Sequence, residues 1–407
     1  KGCCCRPCCG VLLSSFCNAM PTVFRVPFAL LLFLSSSAAF GQQVFVLCEG
    51  AQDFTSGEIL EAPRVGWFDA AEEAPTFQVL HVLEGSAFAV DAILTSDGQE
   101  LYVSGEDVVL RLDANTGEVL AQQAVEGARQ LLLHDGRVYV TRGDYDPETF
   151  SSVVFESYLV ALNAETLAWE ADWAADPLMG PAFAAEAMAL VDGVLHIGIN
   201  NAFAWGEEVG LMGRLHLETG AYDEVDLGPE GLNPVHVLDM GDAVVSVNAR
   251  QYEATSLSRV TAGADAVTVN VAATTAGCGA AARWGDDVIF QVYGEGDFRL
   301  AEAEGLTEVG TWAGNGMSVY SMAVTADNRV MLGNTDFVAS GSVELRDAEG
   351  QWLSTVVTGV APGRNVVAPM ANGGGGLEAD PRPNAVVSRP AVMGRPVTGA
   401  HGGFELA

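Results

Sequence analysis

The chain has 407 residues, 49% of them hydrophobic, and carries 53 acidic against 19 basic residues for a formal charge of −34. This apolar content is too high for a disordered or fibrous protein, and the chain is long enough to bury a large core. The charge argues against nucleic acid or an anionic membrane as a partner, because both attract clustered Lys and Arg, and it favours cations or basic surfaces.

The N-terminal region predicts a targeting segment rather than part of the fold. The apolar run Phe28–Leu34 follows a short basic arm and precedes the small residues Ser35–Gly41. This three-part pattern predicts a secretory signal peptide over residues 20–41, so we expect a secreted protein that is extracellular, periplasmic or held at the cell surface. Residues 1–19, ahead of a plausible initiator at Met20, are interpreted as a non-native upstream extension. No later segment has the ~20 apolar residues that a membrane-spanning helix needs.

Six of the eight cysteines lie in residues 1–19, and two follow, Cys48 and Cys278. The first six lack the paired spacing of a CxxC framework, which argues against a zinc knuckle. An exported protein that keeps two cysteines is not a disulfide scaffold. The remaining two fall in different repeats of the pattern described next, so two separate buried thiols are favoured over one bridge.

A strand-turn-strand pattern repeats along the rest of the chain. Its clearest copy runs through Glu100–Gly105 and Val108–Leu120, where Asp113 and Asn115 can cap a turn that Gly117 closes with a positive φ. The pattern occurs seven times at intervals of 40 to 55 residues. The copies lie around Phe68, Leu112, Leu162, Leu217, Val260, Leu300 and Leu345.

A further apolar strand precedes six of these copies, so each repeat holds four short strands. This arrangement predicts an all-β fold, a seven-bladed β-propeller over residues 42–367. The first repeat lacks its opening strand, because Val44–Leu47 occupies the second-strand position. We expect Arg364–Val367 to supply that strand and to close the ring. Residues 368–407, rich in Gly and Pro, are expected to form a disordered tail.

Three segments resemble the YncE-like or YVTN-type seven-bladed propellers of secreted and surface-layer proteins. They are Val44–Gly50, the turn Leu112–Val119 and Val360–Arg364. The similarity covers roughly residues 44–367 and is more specific for architecture than for activity. The resemblance implies a binding or scaffold protein of the cell envelope. The C-terminal residues depart from the sorting or anchoring domain that often follows such propellers.

Motifs for several chemistries are missing from the sequence. There is no haem-attachment pattern C-x-x-C-H and no nucleophile elbow G-x-S-x-G. The adjacent cysteines that accompany pyrroloquinoline cofactors in similar propellers are absent from residues 42–407. The six histidines are scattered, and His236, at the start of an inner strand, is the one we place beside the central channel.

Three long loops between second and third strands suggest a ligand-binding rim: residues 50–64, 142–156 and 200–212. They combine acidic with aromatic residues, and aromatic faces stack on sugars or cap apolar side chains. The predicted ligand-binding residues of this rim are Tyr145, Phe150, Phe203 and Trp205. An equally open interpretation is that Phe150 and Phe203 only pin the loops to the blades.

Two further sites are weighed against structural alternatives. The spacing of Asp144, Asp146 and Glu148 could bind calcium, although solvated loop charge is the favoured explanation in so acidic a chain. In the channel, Arg129, His236, Arg283 and Arg364 could bind a small anion or a glycan end, or pair with neighbouring carboxylates. His236 and Arg364 are retained as predicted ligand-binding residues.

The sequence therefore favours a monomeric, secreted or envelope propeller that binds an extracellular ligand such as a glycan or a protein, without catalysis. The alternatives are a calcium-assisted lactonase or hydrolase and a quinoprotein-like enzyme. A channel-centred calcium ion needs carboxylates from several inner strands, and the starts of the predicted inner strands hold mostly Ala, Val, Met and Arg, with Glu186 as the exception.

Overall fold

The computed structural model describes residues 42–369 except 54, 55, 147, 150, 251, 252, 278 and 326. The predicted signal peptide, the upstream extension, nearly all of the predicted tail, and Cys278 lie outside the described residues. Within them, thirty β-strands form seven four-stranded antiparallel sheets and one two-stranded hairpin, and no α-helix is present. No helix in this part of the chain is long and apolar enough to cross a bilayer.

The seven sheets are the blades of a propeller, as predicted, and blades 2 to 7 each take four consecutive strands. The strands of blades 2 to 4 are β6 (Ala89–Leu94), β7 (Glu100–Gly105), β8 (Val108–Asp113), β9 (Val119–Ala124), β10 (Ala128–His134), β11 (Arg137–Arg142), β12 (Ser157–Asn163), β13 (Trp169–Ala174), β14 (Ala185–Val191), β15 (Val194–Ile199), β16 (Leu211–His216) and β17 (Tyr222–Asp226). The strands of blades 5 to 7 are β18 (Pro234–Asp239), β19 (Val244–Asn248), β20 (Thr255–Val260), β21 (Val267–Ala272), β22 (Ala281–Trp284), β23 (Asp287–Phe290), β24 (Phe298–Glu302), β25 (Glu308–Trp312), β26 (Ser321–Val324), β27 (Val330–Asn334), β28 (Ser342–Arg346) and β29 (Trp352–Val357).

Blade 1 closes the ring with strands from both ends of the domain. Its order is β30 (Pro362–Val367), β1 (Gln43–Cys48), β4 (Arg64–Asp69) and β5 (Gln78–Val82). Val44 lies opposite Val367 and Leu47 opposite Arg364. The predicted closure is therefore confirmed, residue by residue. The long loop of blade 1 forms an extra hairpin, β2 (Ala51–Asp53) with β3 (Glu58–Glu61).

The repeated turn owes its shape to the residues that the sequence pattern singles out. The Asp113 carboxylate accepts backbone N–H groups from Asn115 at 2.9 Å and Thr116 at 2.8 Å. Gly117 follows with φ of 74°, a conformation that side chains disfavour. A Cβ atom at Gly117 would also lie 2.2 Å from the Leu80 carbonyl oxygen of blade 1. Glycine at this position is therefore required both by the turn and by blade packing.

The core lies between neighbouring blades, because alternate residues of a strand face opposite sides of its sheet. In β1, Val44 and Val46 pack against blade 7, whereas Phe45 and Leu47 pack against blade 2. All four side chains are at most 1% exposed. Each blade thus buries both of its faces against the two adjacent blades.

Polar side chains near the ends of second strands tie each blade to the next. Ser104 Oγ donates to the Arg129 carbonyl at 2.6 Å, and Thr141 Oγ1 donates to the Glu186 carbonyl at 2.8 Å. Gln291 Oε1 accepts the Val319 N–H at 2.7 Å. These bonds satisfy backbone groups near the start of the next inner strand that have no hydrogen-bond partner on a neighbouring strand of their own sheet.

The propeller has two unlike faces. We call the face that carries the loops between second and third strands, together with the connections between blades, the loop face. The opposite face carries the short hairpin turns and is called the turn face. Because the inner strands begin at the loop face, the charged residues at their starts surround the mouth of the channel there.

Candidate functional site

Exposed apolar side chains are distributed unequally between the two faces. Among the described residues, twenty large hydrophobic side chains are exposed, and eleven of them lie in segments of the loop face. The other nine lie on the outermost strands of the blades, and none lies in a hairpin turn of the turn face. Single exposed hydrophobic residues are ordinary, but grouped ones mark interaction surfaces. The loop face is therefore the candidate binding face.

The largest group, which we call the blade 3–4 patch, comes from three segments. It consists of Val154, Leu178, Met179, Phe183 and Trp205, with exposures between 39% and 85%. Val154 and Trp205 belong to the long loops of blades 3 and 4, and the other three to the connection between these blades, residues 175–184.

A buried aromatic cluster holds these three segments together. Phe155, Tyr158, Ala184 and Phe203 are at most 7% exposed and pack with the partly buried Tyr145. The Phe155 and Tyr158 rings meet edge to face with centroids 5.8 Å apart. The patch therefore has a rigid base, which reduces the ordering cost of binding.

Residues 175–184 are held so that apolar side chains point outward. Asp176 Oδ1 accepts the Leu178 N–H at 2.9 Å, and the Gly180 N–H bonds to the Asp176 carbonyl at 2.8 Å. A Cβ atom at Gly180 would lie 2.5 Å from Trp173, so the turn rests directly on blade 3. Leu178, at the tip of this turn, is 81% exposed.

A second group, the blade 6–7 patch, lies three blades further around the ring. It consists of Tyr293, Met317, Phe337 and Val338, all 46% exposed or more. Phe337 packs edge to face on Tyr320 with ring centroids 4.7 Å apart. The Met317 carbonyl accepts a bond from Gln291 Nε2 at 2.8 Å. The two patches lie on opposite sides of the channel mouth.

Between the patches, β-bulges place charged side chains at the mouth. Register shifts occur at the same position of β10 and β14. They release Arg129 and Glu186 from the regular alternation of side chains between the two faces of the sheet. Arg129 Nη2 lies 3.2 Å from Glu186 Oε1, with Glu186 fully buried. The Arg129 guanidinium also lies 5.2 Å from the centre of the Phe203 ring. Arg129 therefore connects the mouth to the base of the blade 3–4 patch.

Carboxylates around the mouth are in an environment that disfavours their charge. Burial, followed by repulsion from Asp144 and Asp107, raises the pKa of Glu106 to about 7. Burial likewise raises the pKa of Asp144 and, well above its usual range, that of Glu49, although Arg129 partly offsets both. The Tyr320 hydroxyl donates to Glu49 Oε2 at 2.7 Å. Positive charge brought to the mouth would stabilise these groups in their ionised form.

The loop face as a whole is strongly acidic. Its loops carry twenty Asp and Glu residues and a single basic residue, Arg250. Arg250 pairs with Glu230 at 2.6 Å. Arg64, Arg142 and Arg299 lie at strand ends that border these loops, and Arg64 and Arg299 pair with Glu61 and Glu295. The face therefore joins apolar patches to a net negative charge.

The structure brings together most of the predicted aromatic rim. Tyr145 lies partly buried beside Phe203, which is 3% exposed and packs against Gly143. Trp205 is 58% exposed on the surface above them. The burial of Phe203 agrees with the pinning interpretation of this residue, and Phe150 lies outside the described residues. The blade 1 loop, in contrast, packs near the ring closure, where Ala51 contacts Val360.

The residues of the predicted calcium site serve the local loop conformation. Asp144 Oδ1 accepts the Tyr145 N–H at 2.7 Å. Asp146 Oδ1 accepts the N–H groups of Glu148 at 2.8 Å and Thr149 at 3.0 Å, and Glu148 itself is exposed. Within the described residues, no group of three or more His, Cys, Asp or Glu is arranged to hold a metal ion.

The predicted channel residues each have a protein partner. Arg364 Nε lies 2.9 Å from Asp91 Oδ1, His236 Nε2 contacts the Gly279 carbonyl at 2.8 Å, and both residues are at most 2% exposed. Arg283 Nε donates to the Gly285 carbonyl at 2.8 Å, next to a turn on the opposite face. Arg129 and Arg364 thus pair with carboxylates, as the pairing interpretation expects, whereas His236 and Arg283 contact backbone carbonyls.

Sequence reasoning missed Asp91 and residues 175–184. Asp91 is a fully buried acid on inner strand β6, so Glu186 is not the exception among inner-strand acids that the sequence suggested. The connection 175–184 joins two blades and so is not one of the long loops between second and third strands that mark the predicted rim. Its signal was available, since Leu178, Met179 and Phe183 alternate with Pro and Gly, which end strands.

A cavity of about 790 Å³ also opens on the turn face between blades 3 and 4. His134, Tyr139 and His216 line it together with the ion pair of Arg137 and Glu170, whose atoms lie 2.8 Å apart. His134 and His216 are the last residues of β10 and β16, and no exposed apolar patch adjoins them. This cavity lacks the combination of features that distinguishes the loop face.

Comparisons with known proteins support the architecture alone. No protein-family model matches the chain, and no curated protein has a detectably similar sequence. A functionally unknown protein from Desulfotomaculum acetoxidans DSM 771 superposes with a TM-score of 0.56 at 11% identity, covering 81% of this chain and 100% of its own. The computationally designed Ika8 protein gives a TM-score of 0.51 at 13% identity, covering 85% and 96%. The dihydro-heme d1 dehydrogenase NirN, in complex with DHE, reaches a TM-score of only 0.49 at 13% identity, covering 78% and 73%.

Proposed function

We propose that this protein is an exported binding propeller that captures a protein partner on its loop face. The observation that carries the proposal is the confinement of exposed apolar side chains to this face and to the blade edges, with none in the turns of the turn face among the described residues. Apolar patches with a polar surround are typical of protein interaction surfaces.

The blade 3–4 patch has the features of an interface core. Its side chains include Trp205 and Phe183, and aromatic residues are enriched among those that contribute most to binding. Its base is packed, so contact does not require the loops to fold first. The acidic residues around it would form the polar rim.

The predicted signal peptide and the YncE-like resemblance are part of the same proposal. Export would bring the loop face into contact with envelope or extracellular proteins, and the resemblance, through Val44–Gly50 and Leu112–Val119, favours a binding or scaffold role. The monomeric state expected from the sequence leaves the whole loop face available to the partner.

Site-specific photo-crosslinking tests the proposal. A photoreactive residue replacing Leu178 in the full-length chain should trap one defined partner from the envelope fraction of the expressing cells. The matched control replaces Leu353, which is 43% exposed on outer strand β29. The same adduct from both positions, or none from position 178, would contradict a partner on the loop face.

A further inference from the structure

The chemistry of the loop face identifies the kind of partner that fits it. Apolar contacts alone would not discriminate between partners, whereas charge complementarity does. Here the loops supply twenty carboxylate residues against Arg250, and Arg250 is already paired. The positive charge at the mouth, Arg129, is paired with Glu186.

We infer that the partner is a basic polypeptide segment that carries apolar anchor residues and lies across the channel mouth between the blade 3–4 and blade 6–7 patches. This inference rests on the proposed function and adds the class of partner. Apolar side chains of the segment would contact Leu178 and Trp205 at one end and Phe337 at the other. Its Lys or Arg side chains would lie over the acidic mouth.

The mouth suits cationic side chains for three reasons. Glu106 and Asp144 lie close enough to repel each other, so a cation between them removes a repulsion. Tyr145, a partly buried aromatic residue of the type that binds ammonium or guanidinium groups, lies within electrostatic range of both carboxylates. Glu49 lies in the same region, within electrostatic range of Arg129.

Fluorescence anisotropy with synthetic peptides tests the inference on the full-length chain. Three labelled peptides of equal length are compared: one alternating Lys and Leu, one alternating Glu and Leu, and one alternating Lys and Ser. The Lys/Leu peptide should bind at least about tenfold more tightly than either of the others, because it alone supplies both charge and anchors. Its affinity should also fall as salt is raised.

Two paired variants locate the binding. Leu178→Ser with Met179→Ser should weaken Lys/Leu binding about tenfold, the loss of roughly one anchor. The control, Leu353→Ser with Val357→Ser, also changes two exposed apolar residues, on β29, and should leave the affinity within about twofold. Glu106→Gln with Asp144→Asn should weaken binding and flatten its salt dependence, while the melting temperature stays unchanged or rises.

The outcomes separate this inference from the proposed function. Equal affinity for the Glu/Leu peptide, or Lys/Leu binding that is equally reduced by the β29 control, overturns the inference. Binding of a neutral oligosaccharide, with no binding of the Lys/Leu peptide, also overturns it. If the position 178 crosslink forms but the Lys/Leu peptide neither binds nor competes with it, the partner is not basic and the proposed function stands. If the crosslink is also absent, both fail.

Discussion

Removal of the Asp91 carboxylate tests how the ring is held at its closure. Asp91 is fully buried on blade 2, and its Oδ1 lies 2.9 Å from Arg364 Nε on the closing strand. Its Oδ2 accepts the Leu131 N–H of blade 3 at 2.8 Å. One side chain thus joins three consecutive blades, and Arg364 Nη1 has no hydrogen-bond partner within the described structure.

Asp91→Ala should therefore destabilise the fold by about 3–5 kcal/mol, because it leaves the Arg364 charge buried without a counter-ion. The variant also leaves the Leu131 N–H without its acceptor, Asp91 Oδ2. The free-energy cost of that lost hydrogen bond overlaps with the cost of the unpaired charge, so the two do not simply add. Since typical domains have only about 5–15 kcal/mol of stability, the variant should unfold at markedly lower guanidinium concentration. Tryptophan fluorescence during denaturation measures the shift.

A second variant covers the case in which Asp91→Ala does not fold. The double change Asp91→Leu with Arg364→Met removes both charges and fills the space with apolar atoms, so it should be more stable than Asp91→Ala alone. A cost for Asp91→Ala below about 1 kcal/mol, or a double variant less stable than the single one, would refute the reasoning.

Three further predictions concern stability. Folding raises the pKa of Glu106 from 4.5 to about 7, so ionisation of this group lowers the stability of the fold as pH rises from about 4.5 to about 7, and the loss is complete above that range. Glu106→Gln should therefore stabilise the protein by up to about 3 kcal/mol at pH about 8 and much less at pH about 5, and an equal effect at both pH values would contradict the assignment. A stop codon at Gly359 removes β30, the strand that pairs with β1. Thermal denaturation of this variant should show a much lower melting temperature or a loss of cooperative unfolding. Melting at the temperature of the full chain would refute the closure. Gly117→Ala should lower the free energy of unfolding, measured by chemical denaturation, by about 1–3 kcal/mol. Gly136→Ala should lower it clearly less, because Gly136 has a similar φ but open space around it.

The fold was predictable because its repeated signals are local. Strand alternation and the turn at Asp113–Gly117 depend on residues close together in the chain, and seven copies reinforce the same conclusion. The closure by Arg364–Val367 was predictable by counting strands, since one repeat lacked its first.

The candidate site was less predictable because it depends on contacts between distant residues. The pairing of Arg364 with Asp91 joins positions 273 residues apart, and nothing in the local sequence of either residue indicates the other. The asymmetry of the faces becomes visible only when each loop is assigned to its end of a strand. Trp205 was predicted from its loop, whereas Leu178 required the structure, because its neighbours in space come from other loops.

The central claim, that the loop face is the binding surface, is tested most directly by oxidative footprinting of the full-length chain with the Lys/Leu peptide bound. Trp205 and Trp352 provide an internal comparison, since they are 58% and 61% exposed on the loop face and on outer strand β29. We predict that the peptide protects Trp205, Met179 and Met317 from oxidation and leaves Trp352 at its unbound rate. Protection of Trp352 without protection of Trp205 would contradict the account.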